Sequence, residues 1–290
     1  NRQGLRLSRQ TMANWLLNIS EKWLRPVYDV LREQLCRESV LHADETTLQV
    51  LKEPGRKNTS DSYMWVYCSI RDAVNPIRYF EYQPGRSGKY PEAFLREYEG
   101  YIHTDAYSGY NAVSGVKRCL CYTHLRRAFV DALPKDIHNS EASKPAEAIL
   151  RLNQLFNIES ELEALPPDQK KKERLIREKP LLEAFWSWAE KSAIGELPKS
   201  KLSKAFHYAL NNREGFWNYL EDGNCSISNS LAENCIRPFV IGRKNWLFSG
   251  SPKGAEASAG IYTLVETAKA NGLAPMKYIK YILSDMPGSA

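Results

Sequence analysis

A chain of 290 residues with 40 Lys+Arg against 34 Asp+Glu has a formal charge of +6, with 43% hydrophobic and 26% charged residues. That make-up suits one large or two small globular domains. It excludes a collagen, a disordered tail and a disulfide mini-protein, and no run approaches the roughly 18 apolar residues of a membrane span.

Six cysteines (Cys36, Cys68, Cys119, Cys121, Cys225, Cys235) show no framework spacing, and the N-terminus shows no apolar signal region. A reducing, cytoplasmic compartment is the simpler expectation. The chain opens with Asn1-Arg2 and its first Met is Met12, so it reads as a piece of something longer. Basic charge with 7 Trp, 16 Tyr and 9 Phe is compatible with nucleic acid, though a mildly basic globular protein has the same make-up.

Residues 5–38 read as helical, because Leu16, Ile19, Trp23, Val27, Val30, Leu31 and Leu35 recur at three- and four-residue steps. Pro26 should kink or divide that helix. The opening Leu7–Trp15 looks either like the recognition helix of a helix-turn-helix with Ser8 as N-cap, its partner helix lying upstream, or like a plain capped amphipathic helix. Val40–Thr46, Thr47–Leu51, Tyr63–Ile70 and Pro76–Tyr82 are short β-rich runs separated by turns, which predicts an antiparallel meander. Tyr90–Tyr98 reads as a short helix with Pro91 in its first turn. Gly100–Asp105 and Arg118–Tyr122 read as further strands, and a helix from Thr123 closes at Pro134.

Residues 141–222 carry a helical pattern throughout, with Pro166-Pro167 between two helices, Lys170–Lys172 as a solvated run, and Phe185, Trp186 and Trp188 as packing residues. Residues 223–251 turn irregular and polar, and Ala255–Ala270 and Pro275–Met286 resume as helices. The order predicts a mixed α/β fold with about five strands. The divisions expected are a helical lead-in (1–38), a first core part (39–140), a helical insertion (141–222) and a last core part with C-terminal helices (223–290).

Three acids stand apart from the amphipathic helices. Asp44 ends Val40-Leu41-His42-Ala43-Asp44, Asp105 ends Tyr101-Ile102-His103-Thr104-Asp105, and Glu233 lies in a short helix with Asn229 or Ser230 at its cap. A lone carboxylate at a strand end is usually a turn or cap residue. Converging carboxylates repel one another unless a divalent cation neutralises them, and Mg²⁺ prefers such oxygen ligands. Spacing along the chain does not establish that convergence.

Five strings occur in order: His42–Thr46, His103–Tyr110, Cys121–Phe129, Ala232–Pro238 and Ile241–Ser251. Together they closely resemble the insertion-sequence-66 family of bacterial DDE transposases, over roughly residues 5–285. The resemblance implies a ribonuclease-H-like core whose Asp, Asp, Glu triad binds two Mg²⁺, with Mn²⁺ able to substitute. Position by position the triad is Asp44, Asp105 and Glu233, with the long gap before the Glu holding the helical insertion. Glu45 competes for the first position. Adjacent strand residues face opposite sides, so both cannot serve one metal pair, and the family pattern favours Asp44.

Cys121-x-x-His124 matches a signature of the same family. Cys119-x-Cys121-x-x-His124 hints at zinc, but no second pair with suitable spacing completes four ligands. Cys121 and His124 are therefore read as a packing and hydrogen-bonding pair beside the site. His42 and His103 are read as buried neighbours rather than general bases.

Arg126 and Arg127 open a helix beside that site, and Arg237 lies one turn after Glu233 on the same face. Arg237, Arg243, Lys244 and Lys253 face the single acid Glu233 within 224–254, beside Trp246 and Phe248. Arg126, Arg127, Arg237, Arg243, Lys244 and Trp246 are the expected DNA contacts. Trp246 and Phe248 suit a core equally well.

The implied activity is Mg²⁺-dependent DNA cleavage and strand transfer moving a bacterial insertion sequence. The expected partners are element ends and target DNA, a homo-oligomer on DNA and accessory proteins of the same element, with no membrane. The rivals are a catalytically silent DNA-binding or assembly protein and a ribonuclease-H-like nuclease without strand transfer.

Overall fold

The computed structural model describes residues 4, 6–134 and 143–285. The expected helix start at residue 5, the 140/141 division and the helix end at Met286 lie outside the described residues. The chain forms an α/β fold with a five-stranded mixed sheet in the order β3-β2-β1-β4-β5, compatible with a ribonuclease-H-like core. The strands are β1 (Val40–Gln49), β2 (Asp61–Ser69), β3 (Arg78–Gln83), β4 (Gly100–Thr104) and β5 (Val116–Leu120). Among the described residues no helix is long and apolar enough to cross a membrane.

Contacts divide the chain into two compact units, one of residues 1–100, 108–115 and 230–290, the other of residues 101–107 and 116–229. In the first unit, α1 (Arg9–Ile19) starts on Ser8, whose hydroxyl accepts the Thr11 N–H at 3.0 Å. A π-helical turn (Ser20–Leu24) leads into α2 (Arg25–Leu35). That turn absorbs the break foreseen at Pro26, because proline in the first turn of α2 gives up an N–H that needs no helical partner. Leu24 is buried with Leu264 and Ile282, which seats the lead-in on the C-terminal helices.

β1, β2 and β3 form the antiparallel meander foreseen from sequence. The two runs expected at 40–51 are one unbroken strand, so Asp44 sits within β1 opposite Val66 rather than at its end. α3 (Lys89–Phe94) is shorter than its expected span.

The last core part differs most from its expected form. Residues 230–246 are not irregular but form α9 (Ser230–Trp246), running through Pro238. An interior proline costs about 3 kcal/mol. Ala232, Ile236 and Phe239 bury into a cluster with Leu48, Val50, Met64, Val66, Cys68 and Phe80, and this packing outweighs the break. Past α9 the chain returns to β1, where Ser249 N–H donates to the Gln49 carbonyl at 2.9 Å. α10 (Pro252–Ala270) then covers β3, and α11 (Pro275–Asp285) follows.

The second unit holds α4 (Tyr122–Val130), α5 (Lys144–Glu161), α6 (Pro167–Ala193), α7 (Lys201–Asn211) and α8 (Arg213–Trp217). Its interior is aromatic: Phe129 meets Phe206 at 5.4 Å, and Tyr122 meets Phe216 at 5.0 Å. Phe185 and Trp186 are buried, as their pattern predicted. Arg174 is fully buried, paired through two of its three nitrogens with Glu159, and donates to the carbonyls of Tyr219, Asp222 and Cys225. One guanidinium thus ties the helical block to the loop before α9.

Candidate active site

In the first unit, β1 alternation assigns the two adjacent acids. Asp44 shares a face with Leu48 and Val50, and its cross-strand neighbour Val66 packs with Ala232 and Ile236 of α9. Asp44 therefore lies on the sheet face that α9 covers. It is half-buried, and its Oδ1 accepts the Glu45 N–H at 2.9 Å. Glu45 points the other way, with a side chain only 2% exposed, paired to Arg86 at 2.6 Å and accepting from the Tyr110 hydroxyl at 2.8 Å. That carboxylate is committed to holding the fold.

Glu233 sits between Ala232 and Ile236 in register and is half-buried, with Oε1 shielded from solvent. The Cys68 thiol is buried in the cluster that packs α9 on the sheet. Burial pushes its pKa well up, and Cys235 and then Asp44 raise it further. Arg243 anchors α9 to β1 by donating to Thr46 Oγ1 at 3.0 Å and Thr47 Oγ1 at 3.3 Å. Arg237 and Lys244 are exposed. Trp246 is half-buried and packs edge-on against Phe239 at 5.3 Å, a packing role that the sequence left open against a DNA role.

In the second unit, Asp105 follows directly on β4. Its Oδ1 accepts the Tyr107 N–H at 2.9 Å, a local turn that fixes the carboxylate. Arg118 of β5 braces this turn by donating to Thr104 Oγ1 at 2.7 Å, to the Tyr107 carbonyl at 2.7 Å and to the Asp105 carbonyl. An open cleft of about 270 Å³ is lined by Asp105, Tyr107, His124, Arg127, Asp131 and Tyr208. Burial pushes the Tyr208 phenol up, and the Asp105 charge adds to this.

Of the two adjacent arginines, Arg127 is exposed and lines this cleft, whereas Arg126 is half-buried and donates to Asn153 of α5 at 2.8 Å. Cys121 and His124 do form a pair. Burial alone would raise the Cys121 thiol, but bonds from His124 and from the Asn229 N–H at 3.2 Å bring it below its ordinary value. His42 and His103 are both buried. Sequence reasoning missed Arg118 and Tyr208. A polar residue alternating in β5 was a faint signal for the first; Tyr208 lies about a hundred residues from Asp105 and gave none.

Asp44, Asp105 and Glu233 offer hard carboxylate oxygens, the donor chemistry that Mg²⁺ takes. Asp44 and Glu233 belong to the first unit, and Asp105 with its cleft belongs to the second.

Comparison with known proteins bears on this arrangement. No solved structure matches the chain. It is 27% identical to the uncharacterized protein y4hP of Sinorhizobium fredii, covering 97% of this chain and 54% of that one. With the uncharacterized protein y4qI of the same organism it shares 29% identity, covering 98% and 54%. The chain therefore spans about half the length of these curated relatives. The family model described as "Transposase IS66 family" matches residues 1–257, nearly all of the sequence, and the chain belongs to that family.

Proposed function

We propose that this chain is the catalytic core of a transposase that cleaves DNA at the ends of an insertion sequence and joins the freed ends to target DNA. The observation that carries the reading is the division of labour on β1: Asp44 faces α9, the helix of Glu233, while Glu45 is locked to Arg86 and Tyr110. The family membership supports it.

In this reading Asp44, Asp105 and Glu233 hold Mg²⁺, with Mn²⁺ able to substitute. Held there, the metal would supply a lowered pKa for the attacking hydroxyl and charge stabilisation for the leaving oxygen. The chain's own groups orient these acids. The Tyr107 amide and Arg118 fix the Asp105 turn, and Arg243 pins α9 to β1. Arg127, exposed in the Asp105 cleft, and Arg237 and Lys244, exposed on α9, contact DNA phosphates. The acting form is a homo-oligomer on DNA in the cytoplasm, alongside accessory proteins of the same element.

The test is nicking and joining of element-end DNA with Mg²⁺ or Mn²⁺. Wild-type chain should nick, and Asp44→Ala, Asp105→Ala and Glu233→Ala should each lose at least about 100-fold of that activity, the scale of removing a group that stabilises the transition state. Equal nicking by wild type and Asp105→Ala would remove the catalytic assignment. DNA binding without nicking would favour the silent assembly protein. A pre-cut 3′-hydroxyl end that is never joined would favour a nuclease without strand transfer.

A further inference from the structure

A second group of metal-capable side chains lies inside the second unit, with no acid among its donors. His103 of β4, Cys119 of β5 and Cys225 of the loop before α9 each present one donor atom, and these atoms all lie within 4.8 Å of one another. All three residues are buried, and the two sulfurs are 3.9 Å apart. Tetrahedral zinc with bonds near 2.3 Å places two thiolate sulfurs at roughly that separation. We propose that His103, Cys119 and Cys225 form a binding site for a thiophilic d¹⁰ cation, with Zn²⁺ as its occupant.

Three observations carry this. The donors are soft sulfur and borderline imidazole, which select zinc or cuprous ion over magnesium. Charge decides between the two soft ions: two thiolates and a neutral imidazole cancel Zn²⁺ completely, whereas Cu⁺ leaves a net negative charge in a buried site. Hydrogen bonds and strands hold the scaffold around the site. Arg174 donates to the Cys225 carbonyl at 2.8 Å, Cys225 N–H donates to the Asp222 carbonyl at 3.1 Å, and Cys119 and His103 stand on strands. Three protein donors leave the fourth zinc position for a neutral water.

Ligation has a visible consequence. The Ser226 N–H donates to His103 Nε2 at 3.1 Å. A neutral imidazole has one in-plane lone pair, so metal bonding through either nitrogen ends that contact. Zinc binding therefore exchanges one loop hydrogen bond for a metal bond, and the Ser226 amide reports it. Two protons leave the thiols for solvent as the metal enters.

The experiment loads the reduced chain with Zn²⁺, with Cu⁺ or with Co²⁺ in the presence of excess Mg²⁺. The expected result is one tightly held Zn²⁺ per chain. Cobalt should give a thiolate-to-metal charge-transfer band, which a carboxylate site cannot produce, and the Ser226 amide resonance should shift. Cys119→Ser and Cys225→Ser should abolish the band, while Cys68→Ser and Cys121→Ser should keep it. Should the first two variants fail to fold, X-ray absorption of zinc-loaded wild type decides, with two sulfurs and one imidazole nitrogen expected. A chain that binds no zinc beyond magnesium competition, a band that survives both substitutions, an oxygen-only shell, or preference for Cu⁺ over Zn²⁺ would overturn the assignment. None of these outcomes depends on nicking activity, so the site stands or falls apart from the transposase reading.

Discussion

Glu178 of α6 is a carboxylate with no exposed surface, accepting the Tyr219 hydroxyl at 2.7 Å. Burial pushes its pKa up to about 8 from 4.5, and the Glu159 charge adds to the rise. Unfolded, the group loses its proton near pH 4.5; folded, it keeps it to about pH 8. Its contribution is therefore full below the unfolded value and disappears as pH rises through the folded one. Urea midpoints should fall between pH 5 and pH 8.5, and Glu178→Gln should flatten that fall. An unchanged slope in the variant would show that another group is responsible; Glu81, pushed up to about 7 by burial, is the first to test. Residue roles differ in how far sequence could assign them. Strand alternation put Asp44 and Glu45 on opposite faces, and only the family pattern favoured Asp44. Sequence could not separate Arg126 from Arg127, because neighbours on a helix lie about 100° apart and only packing says which direction faces the cleft. Nor could it find His103, Cys119 and Cys225 as a group, since 103, 119 and 225 follow no ligand spacing. The short Cys119-x-Cys121-x-x-His124 string drew attention instead, yet the structure sends Cys119 to His103 and Cys225, and Cys121 to His124 and Asn229.

β3 is an edge strand, whose unpaired amides invite foreign strands. α10 closes it with two threonines one turn apart. Thr263 Oγ1 accepts the Phe80 N–H at 2.8 Å, and Thr267 Oγ1 accepts the Arg78 N–H at 3.0 Å. From α2, the Tyr28 hydroxyl donates to the Phe80 carbonyl at 2.7 Å. Thr263→Val keeps the shape and removes the acceptor, leaving a buried amide unmatched. It should cost about 1–3 kcal/mol in denaturant unfolding; a neutral result would mean that water reaches Phe80. At this scale sequence showed the meander and the helical block well, because period-2 and period-3.6 patterns were long and clean. It failed where one local signal opposed tertiary packing. The stretch 223–251 read as irregular and polar around a short helix, while Ile236 and Phe239 had a sheet to bury against and carried α9 through Pro238. β5 begins two residues before its expected start, since Val116 and Lys117 carry no strand pattern of their own.

The whole chain's charge of +6 is small, and the DNA reading places a few cations near phosphate rather than a broad basic face. Three contacts, from Arg127, Arg237 and Lys244, give a salt slope of about −2.7, so affinity should drop roughly 40-fold between 50 and 200 mM salt. Titration of the chain with element-end duplex at both concentrations measures this. An affinity insensitive to salt would count against phosphate contact by these residues. The total charge was legible, but its placement was not, because that depends on which helical faces pack. The path of the chain through the two units has a practical corollary. The backbone leaves the first unit at 101, returns for 108–115, and leaves again until 230. No single pair of cuts can therefore excise either unit intact. A fragment spanning 116–229 would keep Cys119 and Cys225 yet forfeit β4, and with it both His103 and Asp105. Gene truncations aimed at isolating the helical block should retain residues 101–115 by fusion or co-expression.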